Sequence, residues 1–488
     1  MSGISLNSSL YLGAQSLNTQ QQAIQIIGNN LSNVNTPGYV RQRADLTESQ
    51  TVSDGNGEVG TGSTVSSIES LRSTLLDSLV QQSLGGQGFA DNQTSLTTTV
   101  QTALGEQFSS TSASSDGTSS STSSGAIQTA LNNFFGSLQN LEASPSDSTA
   151  RQEVVQDATT LTTALNGAYS RVQQTQGQIG TDAGSITSQI NQLSTTIASL
   201  NQQITSIQAS SGGTANDLID TRNNDVNQLS QLVNVTATTQ TNGTVTIALA
   251  DAPSVVLVSG SNGGGAGTTQ SLSVSYNANA SVPLTVSGSS SGPLGSGIPS
   301  SGSLGSDLEV ANVLIGAPAA DGGTGLLASL DDVANSLKSQ LNTQNEAGFD
   351  LNGNAGTALF TGTGAGDIAV SSSVAANPSL IAAGNGSGPL DGSNATAMAN
   401  LQTSSSIIPA FQDLVSNLGT AVSTATANQT TQDQVTSQLQ TQQQSVEGVS
   451  IDDEMTNLIS FQQAYSASAR FITTISGLYT TLLNATQS

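Results

Sequence analysis

Neither cysteine nor histidine occurs among the 488 residues, and those two absences remove much chemistry at once. Without imidazole or thiolate there is no Ser-His-Asp or Cys-His nucleophile system, and zinc and iron–sulfur sites that rely on those ligands are excluded. Carboxylate catalysis and oxygen-ligated metal chemistry stay formally open. Tryptophan is also missing, and charged residues together make up only 8% of the chain. Eight Lys and Arg stand against 33 Asp and Glu, a net charge of −25, so the basic footprint that a phosphate backbone requires is lacking. No nucleic-acid partner is expected. The one lysine, Lys338, follows Leu337, where a phosphate-binding loop needs glycine.

Long apolar runs are absent as well, which predicts no membrane insertion. The opening MSGISLNSSLYLGAQSL lacks a basic segment followed by an unbroken apolar one. The expectation is a cytoplasmic chain, or one exported by a route that reads no cleavable signal; zero cysteine permits an oxidising destination without requiring it. What the chain has is small and polar. Gly contributes 50 residues and hydrophobic residues are 35%, low for one large core, so long slender elements that bury stripes are predicted.

The most regular stretch runs from Ile186 to Ile207, where Ile186, Ile190, Leu193, Ile197, Leu200, Ile204 and Ile207 alternate steps of four and three. That is a heptad seam, and packing inside one subunit is its simplest reading. Both chain ends repeat the rhythm. Leu10, Leu17, Ile24 and Leu31 recur every seven residues, so residues 4–34 read as an amphipathic helix, with no charge before Arg41. At the other end Ile451, Met455, Leu458, Gln462, Tyr465, Ala469, Ile472, Ser476, Tyr479 and Leu483 keep the four-three step, interrupted by polar Gln462 and Ser476, with no charge after Arg470. A helix whose outer face meets water normally carries charge there, so uncharged outer faces point to burial against other subunits.

Between the ends, helices are predicted at 63–84, 89–108, 126–141 and 149–180, then from Ser306 to Asn345 and from about Ala395 onward. The 109–125 tract of Ser, Thr and Gly reads as a flexible loop. Alternation at Val245, Ile247 and Leu249, a turn at 251–254 and the run Val255–Val258 predict a hairpin, with further strands at 271–276 and 283–286.

Three stretches invite a functional reading and lose it. Asp350-Leu351-Asn352-Gly353-Asn354 opens like a calcium loop, but its sixth position is Ala355 and its twelfth Thr361, which leaves an Asx-rich turn. The glycines at 362, 364 and 366 precede a strand signal where a dinucleotide turn should follow one. Asp452-Asp453-Glu454 follows Ser450, and acids in a first helical turn oppose the macrodipole, so capping is the expected role. No catalytic residue, cofactor or metal site is assigned.

The specific signal is the exit of the N-terminal helix, Asn29-Asn30-Leu31-Ser32-Asn33-Val34-Asn35-Thr36-Pro37-Gly38-Tyr39. Pro37 disfavours helix at Thr36, Gly38 permits a positive φ, and the Asn side chains can bond freed backbone groups. Taken alone it is a helix stop, a turn and an extended departure. The residues themselves resemble the N-terminal signature of the bacterial flagellar axial proteins, and Gly448 to Arg470, with Met455, Leu458, Phe461 and Tyr465, resembles the paired C-terminal signature. Asn216 to Arg222, Gly302 to Gly305 and Gly348 to Asn354 narrow the resemblance to the hook-associated protein 1 family of the hook–filament junction.

The resemblance implies a non-enzymatic structural subunit, mainly α, with long coiled-coil helices, its N- and C-terminal helices paired and a small β-rich middle region. Implied domains are 1–40 with 445–488 as the inner coiled coil, 41–355 with 395–444 as a helical middle domain with hairpins around 236–305, and 356–394 as a short outer insertion. Implied partners are copies of the chain in a ring, the hook protein, the next junction protein (hook-associated protein 3) and a flagellar export chaperone on the C-terminal helix. The implied location is the flagellum, after type III export from the cytoplasm. The terminal helices are expected to be poorly ordered before assembly. The rival readings are a rod or hook subunit, or a secreted adhesin-like surface protein.

Overall fold

A computed structural model describes residues 6–53, 58–105, 125–211, 213–260, 269–289, 292–293, 300–386 and 388–486. The helices are α1 (Leu6–Ser32), α2 (Thr74–Leu104), α3 (Ala126–Ala143), α4 (Ser148–Ser211), α5 (Asn216–Leu232), α6 (Gly302–Glu309), α7 (Leu326–Glu346), the short α8 (Ser372–Ala376), α9 (Ser393–Ser404), α10 (Ile407–Glu447) and α11 (Ile451–Thr486). The fold is mainly α, as the sequence predicts, with small antiparallel sheets inserted between helices. The tract at 109–125 lies outside the described residues except for Gly125.

The axis of the middle region is α4, whose 64 residues rise about 96 Å at 1.5 Å each. The stretches predicted at 149–180 and 186–207 are one helix, which runs unbroken through Gly177, Gly180 and Gly184. The first two glycines lie against the Tyr276 ring, so they serve packing rather than a break. Most of the heptad seam is covered by strands and by α5, with Ile190, Ile197 and Ile204 fully buried, Leu193 half-buried and Ile207 exposed at its end. Two asparagines fasten the strands: Asn191 exchanges a reciprocal pair of hydrogen bonds with the Leu272 backbone (2.9 and 2.8 Å), and Asn201 does the same with Val245 (2.8 and 3.1 Å). Each satisfies strand groups that would otherwise stand unpaired.

The predicted hairpin forms, with Val245–Leu249 antiparallel to Val256–Val258, and Val235–Thr239 adds a third strand on its other side. Leu272–Tyr276 and Leu284–Gly288 form the second pair. The helix predicted over 63–84 needs correction. Ser63–Ser70 is a strand antiparallel to Gln42–Glu48, and helix begins only at Thr74, capped by the Ser73 hydroxyl accepting from Leu76 N at 3.4 Å. Val65 and Ile68 are β-branched, and Ser66 and Ser67 favour helix interiors weakly, so a partner strand decides the outcome. From there α2 continues through the predicted break near Gly85-Gly86 to Leu104. A Cβ at Gly88 would strike the Gln231 carbonyl, so this glycine permits α2 to cross the end of α5. The single helical stretch expected from Ser306 to Asn345 is divided by a π-helical turn (Val310–Ile315) and a loop containing Gly316, Pro318 and Gly325.

Phe134, Phe135, Phe360 and Phe411 are the largest fully buried side chains. The Phe134 and Phe135 rings lie 5.5 Å apart, tilted by 59°, and Phe134 meets Phe360 edge-on at 5.8 Å. Residues 356–394 therefore pack into the middle region through Phe360, Ile381 and Ala382. Asp350 accepts from the backbone N–H groups of Asn352 and Asn354, both at 2.8 Å, the Asx turn that the sequence predicts. Glycines 362–366 wrap onto two carboxylates: Asp367 accepts from Thr363 N and Gly364 N, and Asp331 from Ala365 N.

Candidate assembly surface

The two ends of the chain form an antiparallel helix pair. Gly13 lies against Ile472, the Ser16 and Ser468 hydroxyls are 3.0 Å apart, and Asn30 reaches Glu454. The face of α11 turned to α1 carries Leu458, Phe461, Ala464, Ser468 and Ile472, each half-buried. On α1 the buried side chains are Thr19, Ala23, Ile26, Ile27 and Asn30, because the strand pair 42–48 and 63–70 covers a second flank. Leu17, Ile24 and Leu31 are half-buried, and Leu10 is exposed.

Several large apolar side chains at this end stay exposed among the described residues. Met455, Tyr465, Tyr479 and Leu483 are exposed, as are Ile451, Ile459, Phe471 and Leu478 beside them. Tyr11 is 67% exposed, which sets these helices apart from the Phe-lined core of the middle region. Scattered exposed apolar side chains need no explanation, but a helix pair that shows them along its length carries an interaction surface.

Where this pair meets the body, the departure signature becomes a polar junction. Gly38 takes φ 76°, and the turn is closed by Thr36 N to Asn33 O (2.9 Å) and Tyr39 N to Thr36 O (3.2 Å). Asn29, Asn35, Thr36 and Pro37 are exposed, and Asn33 is half-buried. Asn30 points inward and uses its whole hydrogen-bonding capacity. Its Oδ1 accepts from Gln42 N (3.0 Å) and the Tyr39 hydroxyl (2.9 Å), and its Nδ2 donates to Gln42 O (2.8 Å) and Glu454 Oε2 (3.1 Å). Such full satisfaction is what makes a buried amide tolerable. Burial, aided by Asp217, Asp220 and Glu454, pushes the Tyr39 phenol up to about 12, so it stays a proton donor.

Charge locks the junction. Arg41 Nε meets Glu454 Oε1 at 2.7 Å with Glu454 only 2% exposed, and Arg41 N donates to Glu447 O at 2.9 Å. Glu447 also accepts from Ser73 N at 2.7 Å, and burial lifts its carboxyl above the ordinary range against that bond. Arg72 forks to Asp77 (2.9 Å) and Asp220 (2.7 Å), while Asp220 accepts from Val40 N at 3.2 Å. Five segments are thereby tied at one point: the α1 exit, the start of α2, the first turns of α5, the end of α10 and the start of α11.

Sequence reading singles out Asn30 and Tyr39, places Asp220 only within the 216–222 resemblance, gives no role to Gln42, Arg72 or Glu447 in the junction, and expects Glu454 to cap. Ser450 does cap α11, accepting from Asp453 N at 3.4 Å. The available signal was that Arg41 is the first charge after an uncharged helix and the 452–454 cluster the densest acid in the other end.

Comparison with known proteins follows the same division. Residues 113–360 match the family described as the flagellar hook-associated protein FlgK helical domain. Residues 10–39 match the flagella basal body rod protein family, and 442–485 the C-terminal family of flagellar basal body rod FlgEFG proteins. The chain is 26% identical to flagellar hook-associated protein 1 of Escherichia coli (strain K12), over 98% of this chain and 100% of that one. It is 24% identical to the protein of the same name from Bacillus subtilis (strain 168), over 94% of each. A solved flagellar hook junction protein from Burkholderia pseudomallei is 24% identical, with a TM-score of 0.45, over 59% of this chain and 46% of that one.

Proposed function

The chain belongs to the flagellar hook-associated protein family and is a structural subunit of the hook–filament junction, and we propose that it assembles there through its two terminal helices. The observation that carries this reading is the α1–α11 pair, with no charge on α1 and none on α11 after Arg470, whose outer apolar residues Met455, Tyr465 and Tyr479 stay exposed among the described residues. Burying apolar surface contributes roughly 25 cal/mol per Å², so covering the exposed parts of Met455, Tyr465 and Tyr479 by a neighbour is favourable. Copies of the chain form a ring, seated on the hook protein and offering a surface to the next junction protein. The protein catalyses nothing.

The junction at Asn30, Arg41 and Glu454 gives the ring its rigidity. It fixes the angle between the inner helical pair, residues 1–40 with 445–488, and the middle domain, residues 41–355 with 395–444. Residues 356–394 are a small outward-facing addition to that domain. The chain leaves the cytoplasm by the flagellar type III route, with an export chaperone holding the C-terminal helix until then. Electron microscopy of cells lacking the gene, with filament protein assayed in the medium, tests the junction role. Bare hooks with unassembled filament protein outside the cells are expected; normal filaments would refute it.

A further inference from the structure

Arg151, in the first turn of α4, is only 2% exposed, yet its guanidinium is incompletely bonded. Nε donates to Pro145 O at 2.8 Å, and Nη1 donates to Ile381 O at 2.7 Å and more loosely to Ser379 O and Pro378 O at 3.3 and 3.5 Å. Nη2 has no acceptor among the described residues. A buried donor without an acceptor is costly, and this one belongs to a side chain that lines a cavity of about 370 Å³.

Two segments wall that cavity, residues 349–353 on one side and Gly384 with Pro389 and Asp391 on the other, and Phe349 N fastens them by donating to Gly384 O at 2.8 Å. Asp350 accepts from Asn352 N, Asn354 N and Asn354 Nδ2, which leaves Oδ2 able to accept once more. The Asn352 side-chain amide is exposed and bonds to no other described residue. Phe349 adds a ring that is 40% exposed. The cavity is remote from the terminal pair: Arg151 and Asn201 lie about 75 Å apart along α4, and Asn201 is held by Arg222 of α5, the helix whose first turns enter the junction.

Charge selects the class of ligand. Asp350 and Asp391 beside a single guanidinium, on a chain of net charge −25, disfavour an anion, and the guanidinium disfavours a cation. A neutral molecule must both accept and donate hydrogen bonds there, and it must offer an apolar face to Phe349. Sugar rings combine these features, with hydroxyls around the rim and C–H groups on a face. We propose that this cavity binds one ring of a neutral saccharide, a hydroxyl oxygen accepting from Arg151 Nη2, a hydroxyl donating to Asp350 Oδ2, the Asn352 amide bonding a further hydroxyl and the ring face lying on Phe349. The volume is at the small end of ligand sites and suits a single ring. This is a lectin-like activity that uses neither terminal helix, so it stands independently of the assembly reading.

Saturation-transfer NMR on the purified full chain tests it, with glucose, galactose, mannose and N-acetylglucosamine as neutral probes and glucuronate and free arginine as charged ones. Transfer to at least one neutral sugar is expected, at the roughly millimolar affinity of a single ring in an open site. Phe349→Ala should weaken that transfer about tenfold by removing the ring face. Asn352→Ala, at an exposed side chain that no described residue bonds, should weaken it while leaving the circular dichroism spectrum and denaturant midpoint of the wild type, so the test does not depend on how Phe349→Ala folds. Tyr11→Ala, on α1, should change nothing. No transfer to any of the neutral sugars, transfer confined to glucuronate or arginine, or transfer that survives both Phe349→Ala and Asn352→Ala would overturn the proposal and leave the junction role untouched.

Discussion

Helices α4 and α11 carry the same four-three rhythm of apolar residues and meet opposite fates. In α4 the stripe of Ile190, Ile197 and Ile204 is covered completely by strands and by α5. In α11, Met455, Tyr465, Tyr479 and Leu483 of the stripe stay in the open, and even the face turned to α1 is half-buried. Periodicity therefore reports that a stripe exists, not what covers it. The amount of cover within one chain distinguishes a fold stripe from an assembly stripe.

Substitutions in the two regions should separate stability from assembly, and the largest effect is expected in the core. Phe134→Ala, which empties a fully buried site between Phe135 and Phe360, should cost about 4 kcal/mol in denaturant unfolding. Met455→Ala and Tyr479→Ala should change monomer stability by less than about 0.5 kcal/mol yet abolish filament growth in complementation. Equal destabilisation by both kinds of variant would erase the distinction.

The junction between the regions comes next. Arg41→Ala strands the buried Glu454 carboxylate and should cost about 2 kcal/mol, read as faster hydrogen exchange in α1 and α11. Unchanged exchange there would mean that the junction does not hold the pair.

A pH effect should appear in the body. Asp307 of α6 is buried against α2; its Oδ1 accepts from Asn92 at 2.7 Å and its Oδ2 has no hydrogen-bond partner among the described residues. Burial, opposed by Asn92 and reinforced by Asp182, raises its carboxyl to about 7. Between the ordinary value of 3.8 and about 7 the folded chain thus binds a proton that the unfolded chain has released, so stability declines as pH rises through that window. Asp307→Asn should flatten this decline in unfolding measured from pH 5 to 8; an unchanged slope would assign it to other groups. The smallest effect is expected at Arg43, whose pair with Glu69 is exposed at 3.3 Å, so Arg43→Ala should alter unfolding by less than about 0.5 kcal/mol.

The long helices, the 245–258 hairpin and the Asx turn at Asp350 were legible because each is encoded by local spacing. The strand at 63–70 was not, because Thr64 to Ile68 allows either structure until Gln42–Glu48 supplies a partner. The paired termini were foreshadowed by their uncharged stripes and by the flagellar signatures. The ties of Asn30 to Glu454 and Arg72 to Asp220 join residues 424 and 148 positions apart, and no local pattern announces such contacts. The close approaches at Gly88 of α2 and Gly180 of α4 were not legible, because the groups they admit, the Gln231 carbonyl and the Tyr276 ring, come from distant segments.

Hydrogen exchange along α11, compared between the dilute free protein and assembled hook–filament junctions, tests the central claim most directly. Amides from Met455 to Leu483 should exchange far faster than those of α4 in the free protein and become protected on assembly. Protection in the free protein equal to that of α4, unchanged on assembly, would contradict an assembly role for the terminal helices.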